Sequence, residues 1–537
     1  MKFYKSSAFA MISVLALAGC PTDDTAEDTD SATSGADTTA TDPDTTATDP
    51  DTTADGTDTA DTDDSADGTD TADTDDDTDT ADTDGATAQV RVIHGSPDAP
   101  AVDVYVEGDE TPVIEGLAYG DASAYLEVPE GDYVFEIRAA GEAPDTDPVF
   151  ATDALTLAAG DSVSAIAAGL LAGDGDAAFR VLALADGFGD AADGALARVV
   201  HAGSDAPTVG IDIGNDGDVE LEGVARFADS GPEGVALTAD EPLQVGIRLE
   251  DGTSVTAFST IPIPAGAELY VIATGLLADL PRTETGFSLL AVGPDGAIGF
   301  IQQNPRVYAV HASPSAPNVD ICAGGAPLLE NVQYGAMGGI QVPPAAYELA
   351  VHATGDEPCA GEPAATVMTP ALVPGGQTLA VAMGELDALA AGNDPDFSVQ
   401  FYDEAFALDT DPAQAGIRII HAASAPSVAI QALATADQED FPIDEAIVSM
   451  FEHNGETGEV VLDAVQTFIG VGVGAVMGGS INVAASFTVD VPAGLRGWVL
   501  ATGELDDEAD NAPFGLHIVA TGAGPWEIIG PVAPNPG

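Results

Sequence analysis

A short phrase that joins the end of a predicted strand to a proline turn is written four times in this chain. The copies are Val-Ile-His94-Gly-Ser-Pro-Asp-Ala-Pro100, Val-Val-His201-Ala-Gly-Ser-Asp-Ala-Pro207, Ala-Val-His311-Ala-Ser-Pro-Ser-Ala-Pro317 and Ile-Ile-His421-Ala-Ala-Ser-Ala-Pro426. The histidines lie 107, 110 and 110 residues apart, which is the length of one small β-sandwich domain. The phrase therefore predicts four tandem domains and marks where each begins.

Short strands separated by turn residues are predicted throughout each repeat. In repeat 1 the predicted strands lie at 89–94, 102–106, 125–138 (two strands around a Pro-x-Gly turn), 155–169 and 178–184. Proline fixes φ and Asp and Ser bond the local backbone, so these turns end the strands. About seven or eight short strands per repeat predict an all-β chain of four tandem immunoglobulin-like β-sandwich domains.

The proposed boundaries divide the chain into six parts. These are a signal peptide (1–19), a lipidated cysteine with a disordered Asp/Thr-rich stalk (20–88), and repeats 1 (89–193), 2 (194–303), 3 (304–412) and 4 (413–537, with a C-terminal tail). Repeat 4 is divergent and carries an insertion around Ala434 to Glu459. Its uncharged run from Ala464 to Val489 has the length of a membrane span, but its glycines favour two apolar strands around Met477-Gly-Gly-Ser480.

These landmarks resemble the bacterial domain of unknown function 4397. The resemblance rests on a strand ending in Val-His-x-Ser-Pro-x-Ala-Pro-x-Val-Asp-Val, on Leu-x-Val-Pro-x-Gly-x-Tyr, and on a later Ala-Gly-x-x-Tyr/Val strand. Repeats 1 and 3 match best, whereas repeat 2 has Ser204 and Gly210 at the first proline and Asp103 positions. The resemblance covers roughly residues 89 to 525 and implies immunoglobulin-like sandwiches in envelope-associated proteins, often lipoproteins. It implies no catalytic residue.

The N-terminus is similar to a bacterial lipoprotein signal. Lys2 and Lys5 give a positive start, Ala8–Ala18 is apolar but too short to span a bilayer, and Leu17-Ala18-Gly19-Cys20 matches a lipobox. The resemblance implies cleavage before Cys20 and lipid attachment to its thiol. The alternative is an ordinary secretory peptide. Pro21 follows the cysteine, which favours a location at the outer membrane or cell surface. The alternative location is the periplasm.

Acidic residues dominate the chain, with 91 Asp plus Glu against 12 Lys plus Arg. The stalk has no base and no aromatic residue, so we expect it to be disordered and extended by its like charges. Such an acidic chain repels nucleic acid. Asp77–Gly85 has the alternating Asp of a calcium loop without its final Glu, so weak calcium binding is expected in place of a specific site, and no other cofactor.

The four repeated histidines, His94, His201, His311 and His421, each lie where a strand meets the turn. One histidine per domain, without a second ligand at zinc spacing, predicts a structural role in which the imidazole bonds turn backbone. A metal-binding or catalytic role is the alternative.

Arginines recur beside these histidines. Arg91, Arg198 and Arg418 each precede the motif histidine by three residues, and Arg306 precedes His311 by five. Odd offsets place arginine and histidine on opposite faces of a strand. We expect each arginine to pair with a carboxylate of its domain. The alternative is a solvated charge on an outer face.

Cys322 and Cys359 are the only cysteines besides Cys20, and both lie in repeat 3. In an exported chain this favours a disulfide. Aligned on repeat 1, they correspond to positions on or beside strands, so their contact is sterically reasonable.

No nucleophile, metal-binding or phosphate-binding motif is evident in the sequence. The prediction is therefore a non-enzymatic, lipid-anchored envelope protein that displays tandem sandwiches for adhesion, surface interaction or envelope structure. Its expected partners are the membrane, through the lipid, and an extracellular or envelope protein or glycan. Two alternatives stay open, a calcium- or carbohydrate-binding module and an unrecognised hydrolase.

Overall fold

The computed structural model describes residues 86–191, 194–386, 396–407, 411–473, 479–504 and 512–536. The predictions for the signal peptide, Cys20, residues 21–85 of the stalk and the calcium-like run at 77–85 lie outside the described residues. The first strand begins at Thr87, two residues before the predicted start of repeat 1.

The described residues form strands and no α-helix. Their only helical turns are two three-residue 3₁₀ turns, Gly175–Ala177 and Ile443–Glu445. Consequently, the described part of the chain has no helix with the length and apolar character of a membrane span. The prediction of an all-β protein is confirmed.

Each repeat begins with the motif strand and contains eight to ten described strands. In repeat 1 they are β1 (Thr87–His94), β2 (Val102–Val106), β3 (Ile114–Leu117), β4 (Leu126–Pro129), β5 (Gly131–Tyr133), β6 (Phe135–Ala139), β7 (Phe150–Ala151), β8 (Leu155–Leu157), β9 (Ser162–Ala168) and β10 (Arg180–Ala185). In repeat 2 they are β11 (Ala195–His201), β12 (Val209–Ile213), β13 (Leu221–Val224), β14 (Val235–Leu237), β15 (Gln244–Arg248), β16 (Ser254–Ser259), β17 (Glu268–Thr274), β18 (Ser288–Gly293) and β19 (Gly296–Ile301).

Repeats 3 and 4 form the second half of the chain. In repeat 3 the strands are β20 (Arg306–His311), β21 (Val319–Ala323), β22 (Ala326–Val332), β23 (Met337–Gln341), β24 (Glu348–Ala353), β25 (Ala365–Met368), β26 (Gln377–Met383) and β27 (Ser398–Asp403). In repeat 4 they are β28 (Gln414–His421), β29 (Val428–Leu433), β30 (Asp440–Pro442), β31 (Val448–Phe451), β32 (Val460–Asp463), β33 (Gln466–Val473), β34 (Ser480–Asp490), β35 (Arg496–Thr502), β36 (Gly515–Ala520) and β37 (Glu527–Val532).

Each repeat contributes two principal sheets, and the motif strand is central in one of them. That sheet has the order β10-β9-β1-β4 in repeat 1, β14-β11-β17-β18-β19 in repeat 2, β23-β20-β26-β27 in repeat 3 and β32-β28-β35-β36-β37 in repeat 4. The second sheets have the orders β3-β2-β6-β7, β13-β12-β15-β16, β22-β21-β24-β25 and β30-β34-β33-β29-β31. The motif strand pairs in parallel with a late strand of its own repeat, for example β1 with β9.

The motif strands are buried on both faces. In β11, all seven residues are buried, although a strand covered on one face would alternate between buried and exposed positions. One face packs against the second sheet of the same repeat. The other packs against the motif sheet of a neighbouring repeat, so that repeats 1 and 2 share one apolar core and repeats 3 and 4 share another.

The side chains in these shared cores are as buried as those in the cores within the repeats. The core between repeats 1 and 2 joins Ile93, Ile166 and Ala168 to Val200, Ala202, Tyr270, Ile272, Leu290 and Val292. Buried apolar area is the main favourable term in folding, at about 25 cal/mol per Å². Each pair of repeats is therefore held together by the same force that folds its members.

The structure confirms two further predictions, one about a pair of strands and one about a disulfide. The uncharged run at 464–489 forms β33 and β34, which pair antiparallel from Gln466↔Asp490, so the strand interpretation is confirmed. Cys322 on β21 and Cys359 form a disulfide with a Cα–Cα distance of 6.0 Å, which confirms the predicted bridge and ties a loop onto the second sheet of repeat 3.

Candidate functional site: the motif corner and the repeat interfaces

The motif histidine closes the corner that follows the first strand of each repeat. Its Nε2 donates a hydrogen bond to the carbonyl of the last proline of the phrase. The distances are 3.1 Å for His94–Pro100, 2.9 Å for His201–Pro207, 2.9 Å for His311–Pro317 and 3.2 Å for His421–Pro426. A carbonyl only accepts, so Nε2 carries the proton. The structure thus places all four imidazoles against turn backbone.

Burial lowers the pKa of all four motif histidines, and at His421 it lowers the pKa to about 4. The rings are therefore neutral at neutral pH. Among the described residues, no three His, Cys, Asp or Glu side chains converge to hold a metal ion. The geometry of the corner suits a structural hydrogen bond that fixes the turn.

The motif aspartate clamps a second loop onto the corner. The carboxylate of Asp98 accepts the N–H groups of Leu171 and Ala172 at 2.7 and 2.9 Å. Asp205 accepts those of Leu277 and Ala278 at 2.7 and 2.8 Å in repeat 2. Sequence reasoning missed these partners, although the run Gly-Leu-Leu-Ala recurs after β9 and after β17.

Repeats 3 and 4 weaken this clamp. Ser315 accepts one N–H, from Leu386 at 3.0 Å, and Ala425 stands at the corresponding position of repeat 4. A hydroxyl accepts a weaker bond than a carboxylate, and a methyl group accepts none. The corner itself persists because the histidine bond remains in both repeats.

The residue three positions before the motif histidine bonds across the interface between paired repeats. Arg91 Nη1 donates to the Gly293 carbonyl at the end of β18, and Arg198 Nη1 donates to the Ala185 carbonyl at the end of β10, each at 2.6 Å. The two bonds are reciprocal: each repeat inserts an arginine into the other. They explain why this side chain lies on the face opposite the histidine.

The pair of repeats 3 and 4 keeps this arrangement with one substitution. Arg418 Nη1 donates to the Asp403 carbonyl at 3.1 Å. Tyr308 stands three residues before His311, and its hydroxyl accepts the N–H of Trp526 at 3.1 Å. The tyrosine thus replaces an arginine at the interface, which accounts for the displaced position of the repeat-3 arginine.

The expectation that every motif arginine pairs with a carboxylate is right for two of the four. Arg198 bonds Asp229 at 3.0 Å and Arg418 bonds Glu456 at 2.9 Å. Within the described chain, Arg91 and Arg306 form no ion pair, and the prediction is wrong for both.

Arg91 is satisfied by neutral groups. Its Nε donates to Ser164 Oγ at 2.7 Å, and its guanidinium lies 4.7 Å and 5.3 Å from the ring centroids of Tyr125 and Tyr270. Ring faces stabilise a cation electrostatically. Arg306 instead donates to the Val255 carbonyl of repeat 2 at 3.4 Å, which joins repeat 3 to repeat 2.

A partly buried polar network surrounds the arginines between repeats 1 and 2. Asp186 accepts hydrogen bonds from the hydroxyls of Tyr125 at 2.8 Å and Tyr270 at 2.7 Å. Burial alone would raise the pKa of Asp186, but hydrogen bonds from the tyrosines and nearby serines outweigh it and lower the pKa. Burial raises the pKa of Tyr270 well above its ordinary value. The network therefore holds one carboxylate against two tyrosine hydroxyls.

Aromatic rings fill the corresponding space between repeats 3 and 4. Tyr308 stacks on Trp526 with centroids 4.3 Å apart, Trp526 lies 5.3 Å from Trp498, and Phe406 lies 5.0 Å from Trp498. Both tryptophans of the chain are in this interface. Their fluorescence consequently reports on it.

Repeats 2 and 3 meet through polar groups. Gln341 Nε2 donates to Thr256 Oγ1 at 3.1 Å, and Gln341 Oε1 accepts the N–H of Ala257 at 3.0 Å. Arg282 bonds the buried carboxylate of Glu404 at 2.7 Å. Successive repeats are thus joined at all three junctions, and the described residues fall within one compact unit.

Comparison with known proteins agrees with the repeat pattern. Residues 88–212 and 305–431 match a family described as a domain of unknown function (DUF4397), so the resemblance is shown for two tandem regions. Each match runs from the motif strand of one repeat to the second strand of the next. No curated protein matches the chain.

Among solved structures, the chain is similar to one titled "The Bacillus anthracis TIE protein". The sequence identity is 8%, and the match covers 78% of this chain and 67% of that chain. Its TM-score of 0.12 is too low to support an argument about fold or function.

Proposed function

We propose that this protein is a non-enzymatic display protein of a bacterial cell envelope. In this proposal the lipid on Cys20 anchors the chain at the outer membrane or cell surface. The acidic stalk, which extends to residue 88, separates the four immunoglobulin-like sandwiches from the membrane. The partner is an envelope or extracellular molecule that the folded region contacts.

The observation that carries the proposal is the packing at all three junctions between repeats. Flexibly linked domains would be expected to have small, wet interfaces. Here the paired repeats share apolar cores, and repeats 2 and 3 are joined through Gln341 and Arg282. A continuously packed body presents its surface in a fixed geometry, which suits adhesion or an envelope-structural role. The disulfide Cys322–Cys359 supports export, because such bonds persist in oxidising compartments.

The anchor is tested with Cys20→Ser in a bacterial host fed a radiolabelled or alkyne-tagged fatty acid. We expect the unchanged protein to take up the label and to sediment with membranes. The variant should lose both properties, because only the cysteine thiol accepts the lipid. Membrane sedimentation without label in both proteins would contradict the proposal.

A further inference from the structure

The insertion in repeat 4 forms an open groove. Residues 447–460 line most of its surface, and its volume is about 520 Å³. Its walls include β31 and β32, each of which is the terminal strand of its sheet. Such strands carry backbone N–H and C=O groups along their outer sides that can pair with an added strand. The groove thus suits an extended chain.

Apolar side chains lie within this groove. Met450 is 74% exposed, and it lies beside Val448 and Phe451 in the lining. An exposed methionine adapts its shape to a bound side chain, since its chain is unbranched and polarisable. The groove therefore offers an apolar contact in addition to strand pairing.

Three glutamates lie around the apolar contact. Glu456 is already bonded within the protein, because its two oxygens accept hydrogen bonds from Arg418 and from the Trp498 indole at 2.9 and 3.0 Å. Glu459 Oε2 accepts one backbone N–H at 2.9 Å, whereas its Oε1 is buried and has no hydrogen-bond partner among the described residues. Glu452 is exposed. Glu459 is therefore held within the protein, whereas Glu452 forms no ion pair in the described chain.

The described surface of a second copy of this chain has no exposed positive charge that could pair with the carboxylates of the groove. All ten arginines lie in the described residues, and every one is buried or half-buried. The seven histidines are likewise buried or half-buried, and the described residues contain no lysine. Two such surfaces repel each other. Charge complementarity consequently selects a different protein as the occupant.

We propose that this groove binds an extended segment of another protein in which apolar residues alternate with Arg or Lys. The segment adds as a strand along β31 or β32, places an apolar side chain against Met450, and directs a cation towards the exposed Glu452. The inference rests on the proposed display function, for which it supplies the binding element. It places that element in the last repeat, the farthest along the chain from Cys20.

The test is the binding of fluorescein-(Arg-Val)₃-amide, which carries the dye on its N-terminal nitrogen, to the purified full-length protein, followed by fluorescence anisotropy in 0.5 M sodium chloride. At this ionic strength diffuse attraction to surface carboxylates is largely screened. We expect saturable binding that weakens at least tenfold in Met450→Ser and about threefold in Glu452→Gln, since an exposed ion pair contributes less than about 1 kcal/mol. Matched controls are Ile261→Ser, which removes a 75% exposed side chain in repeat 2, and Glu250→Gln, and both should bind as the unchanged protein does.

Two results would overturn the inference. One is a lack of specificity, seen as equal binding of fluorescein-(Arg-Ser)₃-amide or as equal loss in the control variants, because either shows that binding does not depend on the groove. The other is a dimer in sedimentation equilibrium that Met450→Ser dissociates, because a second copy would then occupy the groove. An unchanged circular dichroism spectrum verifies the fold of each variant. Since the peptide assay uses protein in solution, its failure leaves the outcome of the Cys20 experiment untouched.

Discussion

Replacing Ile166 by Ala tests whether paired repeats fold as one unit. Ile166 lies on β9 in the core shared by repeats 1 and 2 and is fully buried. The substitution removes three carbons, which costs about 2.4 kcal/mol in transfer free energy. A residual cavity raises this towards about 3 kcal/mol. If the repeats unfold together, both lose that stability although only repeat 1 is changed.

Hydrogen exchange of the full chain, followed by mass spectrometry, measures this coupling. Amides that exchange through cooperative unfolding accelerate by the corresponding factor, about a hundredfold for 3 kcal/mol. We expect this acceleration in peptides from β1 and β9, and equally in β11 and β17 of repeat 2. Val471→Ala, in the separate core of repeat 4, should leave repeats 1 and 2 unchanged. Acceleration confined to repeat 1 would refute the shared-core reasoning.

Two other predictions concern the disulfide and the motif histidines. Replacing Cys322 and Cys359 by Ser should lower the free energy of unfolding by about 4 kcal/mol, because the bridge closes a segment with a sequence separation of 37 residues. Urea titration followed by tryptophan emission measures this, and an unchanged midpoint would contradict it. His421 has a pKa of about 4 when folded, against 6.5 ordinarily, so the unfolded chain binds its proton first as the pH falls. Stability should therefore decline from about pH 6.5 to pH 4, by on the order of 3 kcal/mol from this residue, and His421→Gln should flatten the decline in urea titrations across that range. An identical pH profile in the variant would show that this imidazole does not titrate as described.

Local features were well predicted because they depend on nearby residues. The proline turns, the Gly-containing hairpins and the two strands at 464–489 follow from φ restrictions and alternation within a few residues. The disulfide followed from the absence of any alternative cysteine in an exported chain. The hydrogen bond from His94 and its equivalents to the proline carbonyl joins residues that are five or six positions apart. It could therefore also be predicted from the sequence.

The partners of the motif arginines were harder to predict. The offset of three residues correctly separated Arg91 from His94 on opposite faces, but it could not say what that second face meets. The assumption was a carboxylate in the same domain. In the structure Arg91 instead lies on two tyrosine rings and bonds a carbonyl of repeat 2, contacts between residues far apart in the chain.

The sequence by itself determined that this chain has four repeats, that each consists of short strands, and that a histidine corner opens each one. These features are periodic or local, and a periodic pattern is visible without coordinates. Only the tertiary structure decided that repeats 1 and 2, and repeats 3 and 4, pair through shared cores. A largely apolar strand such as β11, which is buried at every position, is covered on both faces, but the hydrophobic effect is non-directional and does not specify which surface covers them. That choice depends on how the two motif sheets fit together, and on reciprocal bonds such as those of Arg91 and Arg198.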